Sequence, residues 1–313
     1  MKEIGGYFGI EIYNVNNKYY KQAYDFNYAR NCLEYIIRKR KIEEIYLPIY
    51  LCNSVKEKCQ KLNCKIIYYH INEEFEPDLD EINNESYIYI VNYYGLLTNE
   101  KLVKLNQKFK RVIIDNAQAF FSKPIQNADV IYSYRKYFGV PDGACLVSNL
   151  DYDINLERQD VSDIVYYMIG RIEKSANQYY YDFHNNETKI RDKDLKRISL
   201  YSENVLNVVD YENIKSIRIN NFNYIDNFLN DMNQLEFKNV EMTYMYPLLC
   251  SNADEIRKKL IENKIYIPRL WPNIEENLLN KFEKKYIYNI LPIPIDQRYD
   301  IIDMKRIVEK IRR

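Results

Sequence analysis

Two short runs constrain this chain more than anything else in it. The first is Arg111-Val112-Ile113-Ile114-Asp115-Asn116-Ala117-Gln118-Ala119-Phe120. The second is Asp129-Val130-Ile131-Tyr132-Ser133-Tyr134-Arg135-Lys136-Tyr137-Phe138-Gly139. Each opens on β-branched residues and delivers polar side chains where the run ends. A buried strand feeding a turn is how an α/β sheet presents chemistry at its carboxyl edge. Together the runs offer one ligand an acid (Asp115), an amide (Gln118), a hydroxyl (Ser133) and an amine (Lys136).

The flanking pattern supplies the rest of such a sheet. Ala29, Cys32, Leu33, Ile36 and Ile37 recur at helical spacing, with Asn27 available as the N-cap. Strands are predicted over 45–48, 65–70, 87–91, 111–114, 129–133 and 144–148, with helices opening at Ser54 and over 100–109. Strands alternating with helices of this length argue for a mainly parallel α/β sheet. Residues 153–210 read as mostly helical. A second unit begins near Tyr211, with a helix over 220–235, strands near 240–244, 246–250 and 265–268, and a last helix over 304–311. The expected division is 1–212 for a large domain and 213–313 for a small C-terminal α/β domain.

Glycine use narrows the site. The seven glycines stand at positions 5, 6, 9, 95, 139, 143 and 170, so none follows residue 170. Gly95, Gly139 and Gly143 come just after strand-like runs, where backbone must turn sharply or approach a ligand. The demanding loops belong to the first half. Charge excludes more: Lys+Arg and Asp+Glu are 45 each, so no global field favours nucleic acid or an anionic membrane. No apolar signal core and no run of about 18 apolar residues occurs, which predicts a soluble, cytoplasmic protein. Six cysteines without a C-x-x-C pair and two histidines argue against a metal site and for reduced thiols. The 33 tyrosines read as the bias of an AT-rich genome, not as a binding surface.

These residues resemble the DegT/StrS sugar aminotransferases, fold-type I enzymes that use pyridoxal 5'-phosphate (PLP). Asp115-Asn116-Ala117-Gln118-Ala119 is similar to that family's D-x-A-Q-A segment. Ser133 through Gly139 resembles its S-F…K-x-x-G segment, Asp142-Gly143-Ala144 its later D-G-G turn, and Val91-Asn92-Tyr93-Tyr94-Gly95 its V-H-x-Y-G. Ala29-Arg30-Asn31-Cys32-Leu33 sits where the family begins its phosphate-binding helix. The match is best over 27–148 and traceable to the end.

What the resemblance implies can be put in physical terms. Asp115 would keep the pyridine nitrogen protonated, because a carboxylate in contact favours the cationic ring. Lys136 would hold the cofactor covalently and then shuttle protons. Gln118 would stand beside the phenolic oxygen. Ser133 and the backbone amides of Arg30 and Asn31, with help from the Arg30 side chain, would bind the phosphate at a helix N-terminus. The family implies a homodimer, an amino donor such as glutamate, and a keto-sugar acceptor in bacterial surface-polysaccharide synthesis, with no nucleic-acid or membrane partner.

Departures accompany the match. Only two residues separate Ser133 from Lys136, a shorter turn than the family's. Cys52 stands where an aromatic ring usually stacks on the cofactor, leaving Tyr50 or Tyr93 as alternatives. Asn92 replaces a histidine, and Asn92 and Tyr93 are candidate substrate contacts. Arg298 either reaches substrate from the small domain or forms a structural salt bridge. Two rivals remain open: a PLP-dependent lyase, dehydratase or decarboxylase on the same fold, and a degenerate binding protein.

Overall fold

The computed structural model describes residues 4–13, 15–152, 155–237, 243–272 and 274–312. In chain order the first half forms β1 (Tyr24–Phe26), α1 (Ala29–Arg40), β2 (Glu44–Pro48), α2 (Asn53–Lys61), β3 (Lys65–Tyr69), β4 (Tyr87–Val91), α3 (Asn99–Phe109), β5 (Val112–Asp115), β6 (Asp129–Ser133) and β7 (Ala144–Val147). These strands make one seven-stranded sheet in the order β1-β7-β6-β5-β4-β2-β3. The neighbours from β6 through β5, β4 and β2 to β3 run parallel, while β7 is antiparallel to both β6 and β1.

Burial explains why these segments are strands. All five residues of β6 are buried, as are four of five in β4, the signature of a parallel strand covered on both faces. Asp129 opens β6 inside the core because Arg40 grips its carboxylate with two bonds, at 2.8 and 3.1 Å. Parallel pairing also dictates where chemistry gathers, since the carboxyl ends of β4, β5 and β6 emerge side by side.

The second half forms α4 (Tyr166–Glu173), α5 (Tyr180–Ile190), α6 (Leu200–Asn207), α7 (Tyr211–Leu229), β8 (Tyr246–Leu249), α8 (Ala253–Glu262), α9 (Lys281–Asn289), β9 (Ile290–Ile293) and α10 (Ile301–Arg312). The β8–β9 pair is antiparallel, and α7, α8 and α10 pack a second core around Ile225, Leu248, Leu260, Leu291 and Ile307. Helix α7 spans the expected boundary: Tyr211 packs in the large core, Ile225 and Leu229 in the small one. No described helix is long and apolar enough to cross a membrane.

Several expectations need correcting. Helix α7 begins at Tyr211 rather than 220 because Asp210 caps it, accepting the Asn213 N–H at 3.0 Å, and it ends at Leu229. Tyr28, not Asn27, is the N-cap of α1. The Asn27 side chain is turned instead toward Gln159 and the Asp194 carbonyl. Residues 265–268 form no strand: Arg257 takes the carbonyls of Ile267 and Pro268, each at 2.8 Å, and β9 pairs with β8 in their place. Of the strand expected near 240–244, residues 240–242 lie outside the described residues, and Thr243 and Tyr244 are not in a strand.

Candidate active site

Asp115 is the last residue of β5, in register with Val91 on β4 and Ile131 on β6. Its carboxylate is fixed by two donors. Tyr89 gives its hydroxyl at 2.8 Å, and the Ala117 N–H comes from the turn that follows, also at 2.8 Å. Burial, and then Asp115 itself, push the Tyr89 hydroxyl well above its ordinary range, so Tyr89 stays a donor. Asp115 remains partly exposed, its carboxylate held in a defined direction.

Ser133 ends β6 opposite Ala144 and is 6% exposed. The chain then makes a single tight turn, with the amides of Tyr137 and Phe138 both reaching the Tyr134 carbonyl. Lys136 stands exposed on that turn, its Nζ 5.7 Å from the centre of the Tyr244 ring. The turn is braced on both sides. The Tyr137 hydroxyl donates to the Gln118 carbonyl at 2.9 Å, and Gln297 Nε2 donates to the Tyr137 carbonyl at 2.6 Å. Beside it Gly143 holds φ +124°, and a Cβ there would come within 2.9 Å of Ile198 and 3.1 Å of Tyr134. That close approach is the reason for glycine in the Asp142-Gly143-Ala144 turn.

The N-terminus of α1 carries the most informative polar cluster. Arg30 lies over the Tyr28 ring at 4.5 Å and Arg135 approaches the same ring at 5.7 Å. Arg30 also donates to the Ile190 carbonyl, and Arg135 pairs with Glu187. Yet Arg30 Nε, Arg135 Nε and the Tyr28 hydroxyl are buried with no hydrogen-bond partner among the described residues. Burial, reinforced by Arg135, holds the Arg30 guanidinium below its usual range. Buried donors are satisfied in nearly every native protein, so three orphans sharing one ring call for an acceptor. A helix N-terminus between two cations favours an anion.

The other expected site residues lie in different surroundings. Asn31 is fully buried, its N–H donating to the Tyr28 carbonyl and its side chain holding the Lys193 and Asp194 carbonyls. Gln118 Oε1 accepts the Tyr94 N–H at 2.7 Å. Asn92 bonds both backbone groups of Leu97 and the Asn116 side chain. Tyr50 and Tyr93 are buried and stacked on each other at 5.2 Å, with Trp271 edge-on to both, so neither ring is a free platform. Cys52 is exposed at the start of α2, whereas the other five cysteines are buried. Arg298 forms a two-pronged pair with Asp296, at 2.6 and 2.8 Å, as the structural alternative predicts. Sequence reasoning passed over Tyr28, Arg135 and Tyr244. Arg135 had a signal, a second cation directly before the lysine, whereas Tyr28 and Tyr244 are two tyrosines among 33.

No protein-family model matches the chain, and no curated protein matches it either. Solved structures do. A DegT/DnrJ/EryC1/StrS aminotransferase from Brucella abortus superposes with a TM-score of 0.63 at 12% identity, over 93% of this chain and 85% of that one. The sugar aminotransferase CalS13 from Micromonospora echinospora gives 0.65 at 14% identity, over 93% and 86%. NtdA from Bacillus subtilis, solved with bound cofactor PMP, gives 0.68 at 13% identity, over 92% and 72%. The chain has the fold of these aminotransferases. That agrees with the fold-type I expectation, a mainly parallel sheet flanked by helices.

Proposed function

We propose that this chain is a PLP-dependent aminotransferase that moves an amino group, with glutamate as the donor, onto a keto-sugar. The observation that carries the reading is the trio of buried, partnerless donors at the start of α1: Tyr28 hydroxyl, Arg30 Nε and Arg135 Nε. They fit a dianionic phosphate, and the Ser133 hydroxyl at the end of β6 is the natural fourth donor. Asp115 ends β5, and Lys136 stands on the turn that follows the end of β6 at Ser133, the two segments that the family resemblance singles out.

In this reading the bound cofactor supplies the electron sink at the substrate carbon. Asp115 would keep a proton on the ring nitrogen, and Tyr89 and Ala117 fix the direction of its carboxylate. Lys136 Nζ removes the proton from the donor's Cα and, in the return half-reaction, delivers one to the former carbonyl carbon of the sugar. Tyr244 beside Nζ limits the directions from which water reaches that amine. The enzyme would work in the cytoplasm, in bacterial surface-polysaccharide synthesis, as a homodimer. Exposed apolar side chains on α4 and α5, among them Ile172, Tyr180 and Tyr181, support a protein-covered surface there.

An amino-donor screen tests the activity. PLP-loaded protein given L-glutamate alone should convert its cofactor spectrum from the aldehyde-derived to the amine form, with release of 2-oxoglutarate. If no amino acid produces that half-reaction while the cofactor stays bound, the aminotransferase reading is wrong.

A further inference from the structure

Arg218 lies in the middle of α7, in the small-domain half of the chain, and is only 1% exposed. It makes no ion pair among the described residues. Asp296 acts on it only through space, its carboxylate being held by Arg298. Burying a cation without a partner carboxylate is unfavourable, and a methionine or leucine would fill the same helix position more stably. What the guanidinium touches explains its presence. Nε donates to Gln297 Oε1 and Nη1 to the Tyr244 carbonyl, both at 3.1 Å, and the group lies 4.4 Å over the Tyr137 ring. Gln297 passes the contact on, donating to the Tyr137 carbonyl at 2.6 Å.

Those two tyrosines are the surroundings of Lys136. Tyr137 follows it in the chain, and the Tyr244 ring faces its Nζ. We propose that Arg218 is a positioning residue, which sets the direction in which Lys136 leaves its turn by fixing Tyr137 and Tyr244 together. The proposal rests on reading Lys136 as the lysine that carries the cofactor. A planar guanidinium suits the task because it bonds in two directions and stacks on a ring at once, which an ammonium cannot do. The same contacts tie the 295–299 loop to the lysine turn.

The rate of cofactor attachment tests this without measuring turnover. Full-length protein is mixed with PLP, trapped with borohydride at intervals, and mapped by peptide mass spectrometry. In Arg218→Gln the labelling of Lys136 should slow by about fivefold, the effect of one lost orienting bond, while labelling of exposed Lys123 is unchanged. Arg218→Lys should recover only part of the rate. If Arg218→Gln fails to fold, Gln297→Met breaks the same brace from the partly exposed loop and should slow Lys136 in the same direction. Wild-type labelling rates at Lys136 in every folded variant overturn the positioning role. Wild-type protein labelled elsewhere than Lys136 would overturn the cofactor reading instead, a result seen with Arg218 untouched.

Discussion

Two stretches of the same sheet edge treat their polar groups in opposite ways. Behind β4, Asn92 and Gln118 spend their side chains on backbone groups of Tyr94 and Leu97, and Tyr50 and Tyr93 stack on each other. Beyond β6, at the start of α1, Tyr28, Arg30 and Arg135 keep buried donors that nothing in the described chain accepts. The first stretch is mostly satisfied internally, with the Tyr50 hydroxyl and Asn116 Nδ2 as scattered buried atoms that have no partner among the described residues. In the second, three orphans converge on one ring beside two cations, which under the proposed function is a place for an anion, since leaving a buried donor unmade costs about 1–3 kcal/mol. Residue type alone would have ranked the two alike; the gathering of partnerless donors and two guanidinium groups at the Tyr28 ring separates them.

Asp115, between the two, should show the largest effect on turnover. Asp115→Asn keeps the shape and an acceptor for Tyr89 but no longer holds the ring nitrogen protonated, so the rate should fall by about hundredfold or more with the fold preserved. Near wild-type kcat would remove Asp115 from the site. Arg30→Met comes next. Losing one charge-assisted bond should weaken PLP by about ten- to hundredfold. Melting of the cofactor-free protein should change little, since a partnerless Nε is removed together with the bond to the Ile190 carbonyl. A drop in stability with unchanged PLP affinity would make the cluster structural. Asn92→Ala should do the reverse, lowering stability by about 1–3 kcal/mol while PLP affinity stays put, because three local bonds are lost and no ligand contact is.

The smallest effect lies in the loop that carries Asp296 and Arg298. Burial pushes the Asp296 carboxyl up, but Arg298, with Arg218 behind it, overcomes burial and holds it below its unfolded value of 3.8. A depressed carboxylate stabilises the fold above its unfolded pKa, and that contribution is lost as pH falls through the lower folded value. Wild-type protein should therefore lose stability below about pH 4 more steeply than Asp296→Asn. Parallel acid profiles for the two would show that the pair contributes nothing.

What could be read from sequence follows the same division. Strands β4 and β6 have the expected bounds because uninterrupted β-branched and aromatic runs leave little choice. Strand β9 went unread because Leu291-Pro292-Ile293-Pro294 resembles a loop; its Pro292 is tolerated opposite Pro247 in a sheet of only two strands. The run 265–268 looked like a strand, yet its Ile267 and Pro268 carbonyls are taken by the Arg257 side chain instead of a neighbouring strand. That Asp115 and Ser133 close their strands was legible since strand ends show in the pattern. Tyr28 and Arg218 were not, because what marks them is a missing partner in space, and sequence carries no record of that.

The most direct test is where the cofactor attaches. Wild-type protein reconstituted with PLP, reduced with borohydride and digested should carry a single pyridoxyl group, on Lys136. Lys136→Ala should bind PLP through the Arg30, Arg135 and Ser133 cluster but carry no such group, and should not complete repeated turnovers. A pyridoxyl group on another lysine would contradict the placement of the site. No pyridoxyl group at all would contradict the enzyme reading and leave a binding protein that shares the aminotransferase fold.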